Sequence, residues 1–291
     1  MRREHSQPAT PPGAASSRPP LPAAGGDWLR TVLQGFTRLP RLLAHMRPTL
    51  ELPSLEALDA AQLRALGVRG LIWDVDGTLM RRGDRSVAPG LHAALAALLA
   101  DSGLSHLILS NCAERRFLEL GEIFPDIPLL RGYRTAGGAL LFRVRRGGID
   151  RWSATVADGA TGQATALAWS TLNGAPPPLS SATALRKPSV ELVRFAVAEL
   201  GLEHPSQAAC VGDQRLTDVA GASMAGCHSI KVPTLGRESF PLPVRLLQRG
   251  EEAAYRALYR RRRSQATPAS APSAASAPSA PSTPAAPVEA A

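Results

Sequence analysis

Two aspartates one residue apart are the first side chains of the chain whose types and spacing could do chemistry. Asp74 and Asp76 follow the apolar residues 71–73 and lead directly into Gly77 and Thr78. A short apolar run bounded by turn residues is typical of a buried parallel strand. Neighbouring carboxylates at the end of such a strand repel each other unless a cation joins them. Because open α/β sheets bind ligands at this edge, the stretch predicts an oxygen-rich Mg²⁺ site.

An ordinary loop and a calcium-binding loop are the alternative interpretations of the Asp-x-Asp-Gly pattern. The calcium loop can be tested on the residues that follow. Such a loop needs further acidic ligands immediately downstream and a closing glutamate. The residues that follow here are Leu79, Met80, Arg81 and Arg82, none of which is acidic. The pattern therefore disfavours calcium.

Apolar strands and amphipathic helices alternate along most of the chain. Strands are predicted at residues 71–73, 106–109 and 208–211, with a short one at 128–130; helices are predicted at about 90–100, 114–124 and 189–200. This alternation predicts an α/β fold whose parallel sheet has helical crossovers.

One segment, residues 133–185, interrupts that alternation. Residues 139–144 and 149–156 predict a β-hairpin joined by a turn at Gly147-Gly148. The rest of the segment is weakly patterned, and we expect it to form a small insert over the active face.

Polar groups follow four predicted elements in chain order. They are Asp74 with Asp76, Ser110, Lys187, and Asp213 with Asp218. Phosphoryl transfer needs such a set: a carboxylate nucleophile, a second carboxylate for proton transfer, cationic and hydroxyl groups, and carboxylates for Mg²⁺. Lys187 is notable because the chain has only one other lysine, Lys231, which suggests that a compact ammonium is required at this position.

These motifs resemble the four ordered motifs of the haloacid dehalogenase (HAD) superfamily of phosphatases. They read Asp-Val-Asp-Gly-Thr at 74–78, Ser110-Asn111, Lys187-Pro188, and Gly-Asp-Gln-Arg-Leu-Thr-Asp at 212–218. The resemblance covers residues 71–218 and implies a Rossmann-like, doubly wound parallel sheet carrying a small hairpin-containing insert. It also implies a phosphatase.

The resemblance assigns a role to each motif residue. Asp74 would be the nucleophile that forms an aspartyl-phosphate, and Asp76 would protonate the leaving group and then activate water. Ser110 would hydrogen-bond the transferred phosphoryl group, and Lys187 would neutralise the charge of nucleophile and phosphate. Two polar residues beside these motifs are predicted to bind substrate: Thr78 and Asn111.

Mg²⁺ is the cofactor that the resemblance implies. Its ligands would be Asp74, the backbone carbonyl of Asp76, and Asp213. Asp218 would support the loop or the metal shell.

The last motif is similar to subfamily IIIA, and within it to the phosphatidylglycerophosphate phosphatases. Residues 212–222 read Gly-Asp-Gln-x-x-Thr-Asp-Val-x-Gly-Ala. The chain departs from that branch in two ways, because the branch usually has Asn where Gly77 stands and lacks an insert as long as residues 133–185.

Three functional hypotheses follow from these motifs. The first is a phosphatase for a phosphorylated lipid, phosphatidylglycerophosphate. The second is a soluble sugar or nucleotide phosphatase in which the insert acts as a specificity cap. The third is a non-catalytic binding or scaffold protein on the same fold, which the intact Asp74/Asp76 pair disfavours because binding alone needs no such pair.

The ends of the chain differ in composition from its middle. Residues 1–26 and 264–291 are rich in Pro, Ala and Ser and predict disordered tails. Residues 27–47 have helical apolar spacing and predict an amphipathic segment, either a helix docked on its own domain or an interfacial helix whose arginines meet lipid headgroups. Residues 48–245 would form the phosphatase domain, and 246–263 a basic helix.

Charge and cysteine content limit the partners and the compartment. The formal net charge is +9, which indicates either a solvated basic surface or attraction to an anionic membrane. No motif or aromatic-interleaved basic patch indicates nucleic-acid binding. The three cysteines lack metal-ligand spacing and fit reduced thiols, so we expect a cytoplasmic protein, with membrane contact, if any, through residues 27–46.

Overall fold

The computed structural model of the chain describes residues 39–135, 138–156, 170–171 and 182–260. The predicted tails at 1–26 and 264–291 lie outside these residues. So do most of the amphipathic segment 27–47, the last three residues of the basic helix 246–263, and residues 157–169 and 172–181 of the insert.

The described chain alternates strands and helices. The strands are β1 (Leu50–Glu51), β2 (Gly70–Trp73), β3 (Ser105–Ile108), β4 (Leu129–Thr135), β5 (Gly138–Arg145), β6 (Gly148–Val156), β7 (Ser170–Thr171), β8 (Thr183–Leu185), β9 (Ala208–Gly212) and β10 (His228–Lys231). The helices are α1 (residues 39–44), α2 (Ala60–Ala65), α3 (His92–Ala100), α4 (Glu114–Ile123), α5 (Val190–Glu199), α6 (Ala220–Ala225) and α7 (Leu242–Tyr255).

A single mixed sheet organises these elements. Its strand order is β1-β10-β9-β2-β3-β4-β5-β6-β7, and β8 pairs with β4 beside β3. The strands from β1 to β4 in this order are parallel, whereas β5, β6, β7 and β8 pair antiparallel. The predicted α/β fold with a mostly parallel central sheet is confirmed.

Both faces of the parallel strands are buried under helices. On β2, Leu71 and Trp73 pack in the cluster that includes side chains of α2, α3 and α4, whereas Ile72 packs in the cluster with α5 and α6. Successive strand residues point to opposite faces. The continuous apolar run therefore reflects a strand covered on both sides, which is the doubly wound arrangement.

The predicted hairpin is present, but its turn lies one residue earlier than expected. Arg145 pairs with Gly148, so the loop is Arg146-Gly147, and both residues have positive φ, 49° and 71°. Two positive φ angles give the turn the twist that hairpin strands need. Gly147 is also required sterically, because a Cβ there would lie 2.4 Å from Cγ of Glu122. The described strands of the insert extend the sheet beyond β4.

The described end of the amphipathic segment packs on the domain. Leu42 and Met46 are buried, and the Tyr259 hydroxyl donates to the backbone carbonyls of Leu43 and Ala44 at 2.8 and 2.9 Å. These contacts favour the docked-helix interpretation for residues 39–46. No helix in the described ranges is both long and apolar enough to cross a lipid bilayer.

Candidate active site

The carboxyl ends of β2 and β9 bring two aspartates together. The strands are parallel neighbours, and the Asp74 amide continues their ladder by donating to the Val211 carbonyl at 2.9 Å. Asp74 directly follows β2 and Asp213 directly follows β9. Because parallel strands end at the same edge of a sheet, the two carboxylates meet there.

Lys187 reaches this edge through β8 and is held there by Asn111. The Asn111 side chain donates to the Lys187 carbonyl at 2.9 Å and accepts from the Lys187 amide at 2.8 Å. One side chain thus replaces both partners that a neighbouring strand would supply to a backbone residue. Asn111 follows β3, so it couples the end of that strand to the position of Lys187.

A buried lysine joins two of the predicted carboxylates. Nζ of Lys187 lies 2.6 Å from Oδ1 of Asp74 and 2.6 Å from Oδ1 of Asp218. The second oxygen of Asp74 accepts from the buried Thr78 hydroxyl at 3.4 Å. The second oxygen of Asp218 accepts from the backbone amide of Gln214 at 3.0 Å. These bonds hold both carboxylates beside the Lys187 ammonium.

Asp213 completes a cluster of three carboxylates. Oxygen atoms of Asp74, Asp213 and Asp218 lie within 4.8 Å of one another, and all three residues are buried. Oδ2 of Asp213 accepts from the side-chain amide of Gln248 at 3.3 Å, whereas the buried Oδ1 of Asp213 has no hydrogen-bond partner among the described residues. With Lys187 as the cation inside the cluster, two negative charges would remain once all three carboxylates ionise, and a divalent cation would balance them.

Burial makes these carboxylates difficult to ionise in the absence of a further cation. Burial, opposed by Lys187 and reinforced by Asp218 and Asp213, raises the pKa of Asp74 to about 8. Burial and the nearby Asp218 raise the pKa of Asp213 to about 7. The two carboxylates next to Lys187 outweigh its own burial and raise the pKa of its ammonium. The oxygen donors and excess negative charge fit Mg²⁺, with Asp74 and Asp213 as the available ligands.

Two glycines allow the acidic loops to approach one another. A Cβ at Gly212 would lie 2.3 Å from Cγ of Asp218. Gly77 has φ of +95°, and a Cβ there would lie 2.9 Å from Oδ2 of Asp213 and 2.9 Å from Cζ of Phe240. Both positions therefore exclude a side chain without rearrangement.

The carboxylate of Asp76 is outside this cluster and is held by an arginine. Nη2 of Arg116, on α4, donates to Oδ1 of Asp76 at 2.8 Å, and Nη1 donates to Glu119 at 3.1 Å. Both side chains of the Arg116–Asp76 pair are nearly buried, 12 % and 14 % exposed. Asp76 is thus fixed beside the cluster with its carboxylate oriented by Arg116.

The structure thus brings four of the predicted residues into direct or near contact: Asp74, Lys187, Asp213 and Asp218. Two other predicted residues contact them: Thr78 bonds to Asp74, and Asn111 bonds to the Lys187 backbone. Ser110 is half-buried after β3.

Several contributing residues were not foreseen from the sequence. Arg116 orients Asp76, and Gln248 of α7 contacts Asp213. Glu251, one turn further along α7, accepts from the Arg215 amide in the last motif at 2.9 Å. The only sequence signal was the i, i+3 spacing of Gln248 and Glu251, which places both on one helix face. The predicted basic helix is therefore also part of the site.

Comparison with known protein families gives a match in the second half of the chain. Residues 184–239 match a family model described as "HAD-hyrolase-like", a span that contains Lys187, Asp213 and Asp218 but not Asp74 or Asp76. No curated protein and no solved structure matched the chain. The matched span, with the α/β fold around it, supports membership of the HAD superfamily of hydrolases.

Proposed function

We propose that this protein is a Mg²⁺-dependent phosphomonoester hydrolase that forms an aspartyl-phosphate on Asp74. One observation carries the proposal: the Lys187 ammonium bridges Asp74 and Asp218 while Asp213 completes a buried cluster of three carboxylates around one ammonium. A purely structural lysine–aspartate pair would need no third carboxylate. The superfamily match over residues 184–239 supports the same reaction class.

In the first half of the proposed reaction, an Asp74 oxygen attacks the phosphorus and the bond to the leaving oxygen breaks. Lys187, 2.6 Å from Asp74, would stabilise the negative charge that develops on the phosphoryl oxygens. Asp76 would give its proton to the leaving oxygen. Because Arg116 binds Oδ1 of Asp76, Oδ2 is the atom that would carry this proton.

In the second half, water attacks the acyl phosphate and restores the Asp74 carboxylate. Asp76, now ionised and held by Arg116, would accept the proton from the attacking water. Ser110 would hydrogen-bond the phosphoryl group from the end of β3. A bound Mg²⁺ would supply charge neutralisation for the nucleophile and the phosphoryl oxygens.

At a finer level, we propose membership of subfamily IIIA and phosphatidylglycerophosphate as the first substrate to test. The pattern at residues 212–222 supports this choice. Gly77 is the main departure, and the structure ties it to the close approach of Asp213 and Phe240. A change at this position therefore concerns packing beside the cluster.

The experiment is a phosphate-release screen with Mg²⁺ over soluble sugar and nucleotide phosphates and phosphatidylglycerophosphate in mixed micelles. The wild-type chain, Asp74→Asn and the exposed control Asp126→Asn are compared. We expect turnover by the wild-type and control proteins and none by Asp74→Asn. Turnover of soluble substrates with no lipid turnover would reject the lipid assignment. A wild-type protein inert towards the whole panel would reject catalysis and favour a binding protein.

A further inference from the structure

A pocket lies on the same edge of the sheet as the carboxylate cluster but at the ends of other strands. Its volume is about 500 Å³. Glu51 and Leu52 line it after β1, and Lys231 to Thr234 line it after β10. The β1 and β10 strands are parallel neighbours, and carboxyl ends of parallel strands are where α/β sheets bind ligands.

Helix α7 and the turn before it supply the other wall of the pocket. Arg249, Ala253 and Arg256 line it from one face of the helix and its continuation, at spacings of four and three residues. Arg237 lines it from the turn Arg237–Ser239. Three arginines and Lys231 therefore line one cavity.

The two glutamates that line the pocket are already engaged elsewhere. Both pair with Arg215, which is buried: Glu252 accepts from its Nε at 2.9 Å, and Glu51 accepts from its Nη2. The Arg215 guanidinium also lies 3.6 Å above the ring of Tyr255. In the described part of the chain, Arg237, Arg249 and Arg256 form no ion pair. The pocket thus carries a surplus of positive charge.

Lys231 is a buried basic residue in the wall of this pocket. Its side chain is buried, and its Nζ donates to the backbone carbonyl of Val232 at 2.7 Å. Burial lowers the pKa of its ammonium, with Arg215 adding to the effect despite the nearby Asp213. An anion in the pocket would stabilise the charged ammonium and so offset the hydration that this group has lost.

We infer that this pocket is a binding site for a phosphate group, separate from the carboxylate cluster. A phosphate dianion matches a surplus of more than one positive charge better than a single carboxylate does. Arginine forks donate paired hydrogen bonds to phosphate oxygens, and lysine adds a point charge. The phosphate could be free in solution or be the headgroup of an anionic lipid, since both present the same oxygens.

The pocket and the candidate active site share a wall. Thr234 lines the pocket, and its side chain is near enough to Asp213 to oppose the rise in the pKa of that carboxyl. The two sites differ in charge, because one is acidic and needs a cation to accept phosphate, whereas the other is basic. Binding in the pocket can therefore be measured without divalent cations and without turnover, independently of the proposed phosphatase activity.

The test compares the full-length protein with two double variants in buffer containing EDTA. Arg249→Gln/Arg256→Gln removes two exposed pocket cations. Arg64→Gln/Arg69→Gln makes the same charge change on α2 and at the amino end of β2, at the opposite edge of the sheet. Inorganic phosphate is titrated by calorimetry, and vesicles of phosphatidylcholine with or without phosphatidylglycerol are tested by co-sedimentation. Thermal unfolding confirms that each variant is folded.

We expect the wild-type protein and the Arg64/Arg69 variant to bind one phosphate, and the Arg249/Arg256 variant to bind about tenfold or more weakly. Loss confined to the pocket variant in the phosphate titration supports a site for free phosphate. Loss of vesicle binding confined to the pocket variant, seen only with phosphatidylglycerol vesicles and not in the phosphate titration, supports a site for a lipid headgroup. Equal weakening in both double variants, or no binding of either probe by the wild-type protein, would overturn the inference.

Discussion

Asn111 is positioned to control Lys187 rather than to contact a substrate directly. Both polar atoms of its side-chain amide bind the Lys187 backbone, so a bound substrate would have to compete with these bonds. The sequence-based expectation of substrate binding and the observed positioning contact make different kinetic predictions, which a single substitution separates.

Replacing Asn111 with Ala should lower kcat about tenfold or more with little change in KM, because Lys187 would no longer be held against Asp74. Asn111→Asp keeps the acceptor for the Lys187 backbone amide but loses the donor to the Lys187 carbonyl. The kcat of this variant should therefore lie between those of the wild-type protein and Asn111→Ala. Steady-state kinetics with the best substrate measures both constants. An increase in KM at constant kcat would instead favour direct substrate binding.

Gly77 combines a backbone requirement with a packing requirement. Its φ is +95°, and its Cα faces Asp213 and Phe240 with no room for a Cβ. Gly67 provides a matched comparison, since it has φ of +72° and a Cβ added there would meet no atom within 4 Å. The pair separates backbone strain from crowding.

We expect Gly77→Asn to lower the free energy of unfolding by about 1 to 3 kcal/mol more than Gly67→Asn does. Asn tolerates a left-handed backbone at both sites, so the difference measures crowding against Asp213 and Phe240. Urea denaturation of the two variants and the wild-type protein provides the values. Equal losses of stability would show that the Gly77 site can accommodate a side chain.

At the scale of elements, α7 contributes buried polar groups to the edge of the sheet that carries the site. Glu251 is buried, accepts from the Arg215 amide with one oxygen, and leaves Oε1 without a hydrogen-bond partner in the described structure. Burial raises the pKa of its carboxyl to about 7. A carboxyl whose pKa is higher in the folded than in the unfolded protein stabilises the fold at low pH and loses that contribution as pH rises.

Glu251→Gln should therefore remove part of the pH dependence of stability. The wild-type free energy of unfolding should fall more steeply than that of the variant between about pH 4.5 and pH 7. Over this range the variant should gain at most about 3 kcal/mol of stability relative to the wild-type protein. Denaturation curves at several pH values measure this slope, with the exposed Glu203→Gln as control. Parallel curves for wild type and Glu251→Gln would contradict the assignment.

The elements that carry the motifs were predictable because each motif directly follows a buried strand or begins a helix. An apolar run such as residues 71–73 has few alternatives once its turn residues are recognised. Strand β4 was predicted only at 128–130, because residues 131–135 lack an apolar run and owe their extended form to pairing with β5 and β8.

Long-range contacts of polar residues were not predictable in the same way. Gln248 and Glu251 lie among arginines in the sequence, and they are buried only because α7 packs across the carboxyl edge of the sheet. Arg116 is one arginine among many until α4 brings it to Asp76. Such contacts depend on how distant elements meet, and no local pattern encodes them.

At the scale of the whole molecule, the buried carboxylate cluster links stability to divalent cations. Asp74, Asp213 and Asp218 share one lysine, so cation binding to the folded protein should relieve repulsion that the unfolded chain does not have. Millimolar Mg²⁺ should raise the midpoint of thermal unfolding at neutral pH, and EDTA should reverse the effect.

Asp213→Asn should reduce this Mg²⁺-dependent shift, because it removes a ligand and one excess charge, whereas the exposed control Asp126→Asn should preserve it. Scanning calorimetry with and without Mg²⁺ gives the shift for each protein and requires no turnover. The same shift in the wild-type protein and Asp213→Asn would place the cation elsewhere.

Phosphoryl transfer to Asp74 can be tested by locating the modified residue in the phosphoenzyme. The wild-type protein is mixed with its best substrate and Mg²⁺, quenched in acid, reduced with borohydride and analysed by peptide mass spectrometry. We predict the mass change of a reduced acyl phosphate on Asp74, none on Asp76, and none in Asp74→Asn. Modification of another residue, or wild-type turnover by Asp74→Asn, would contradict the account.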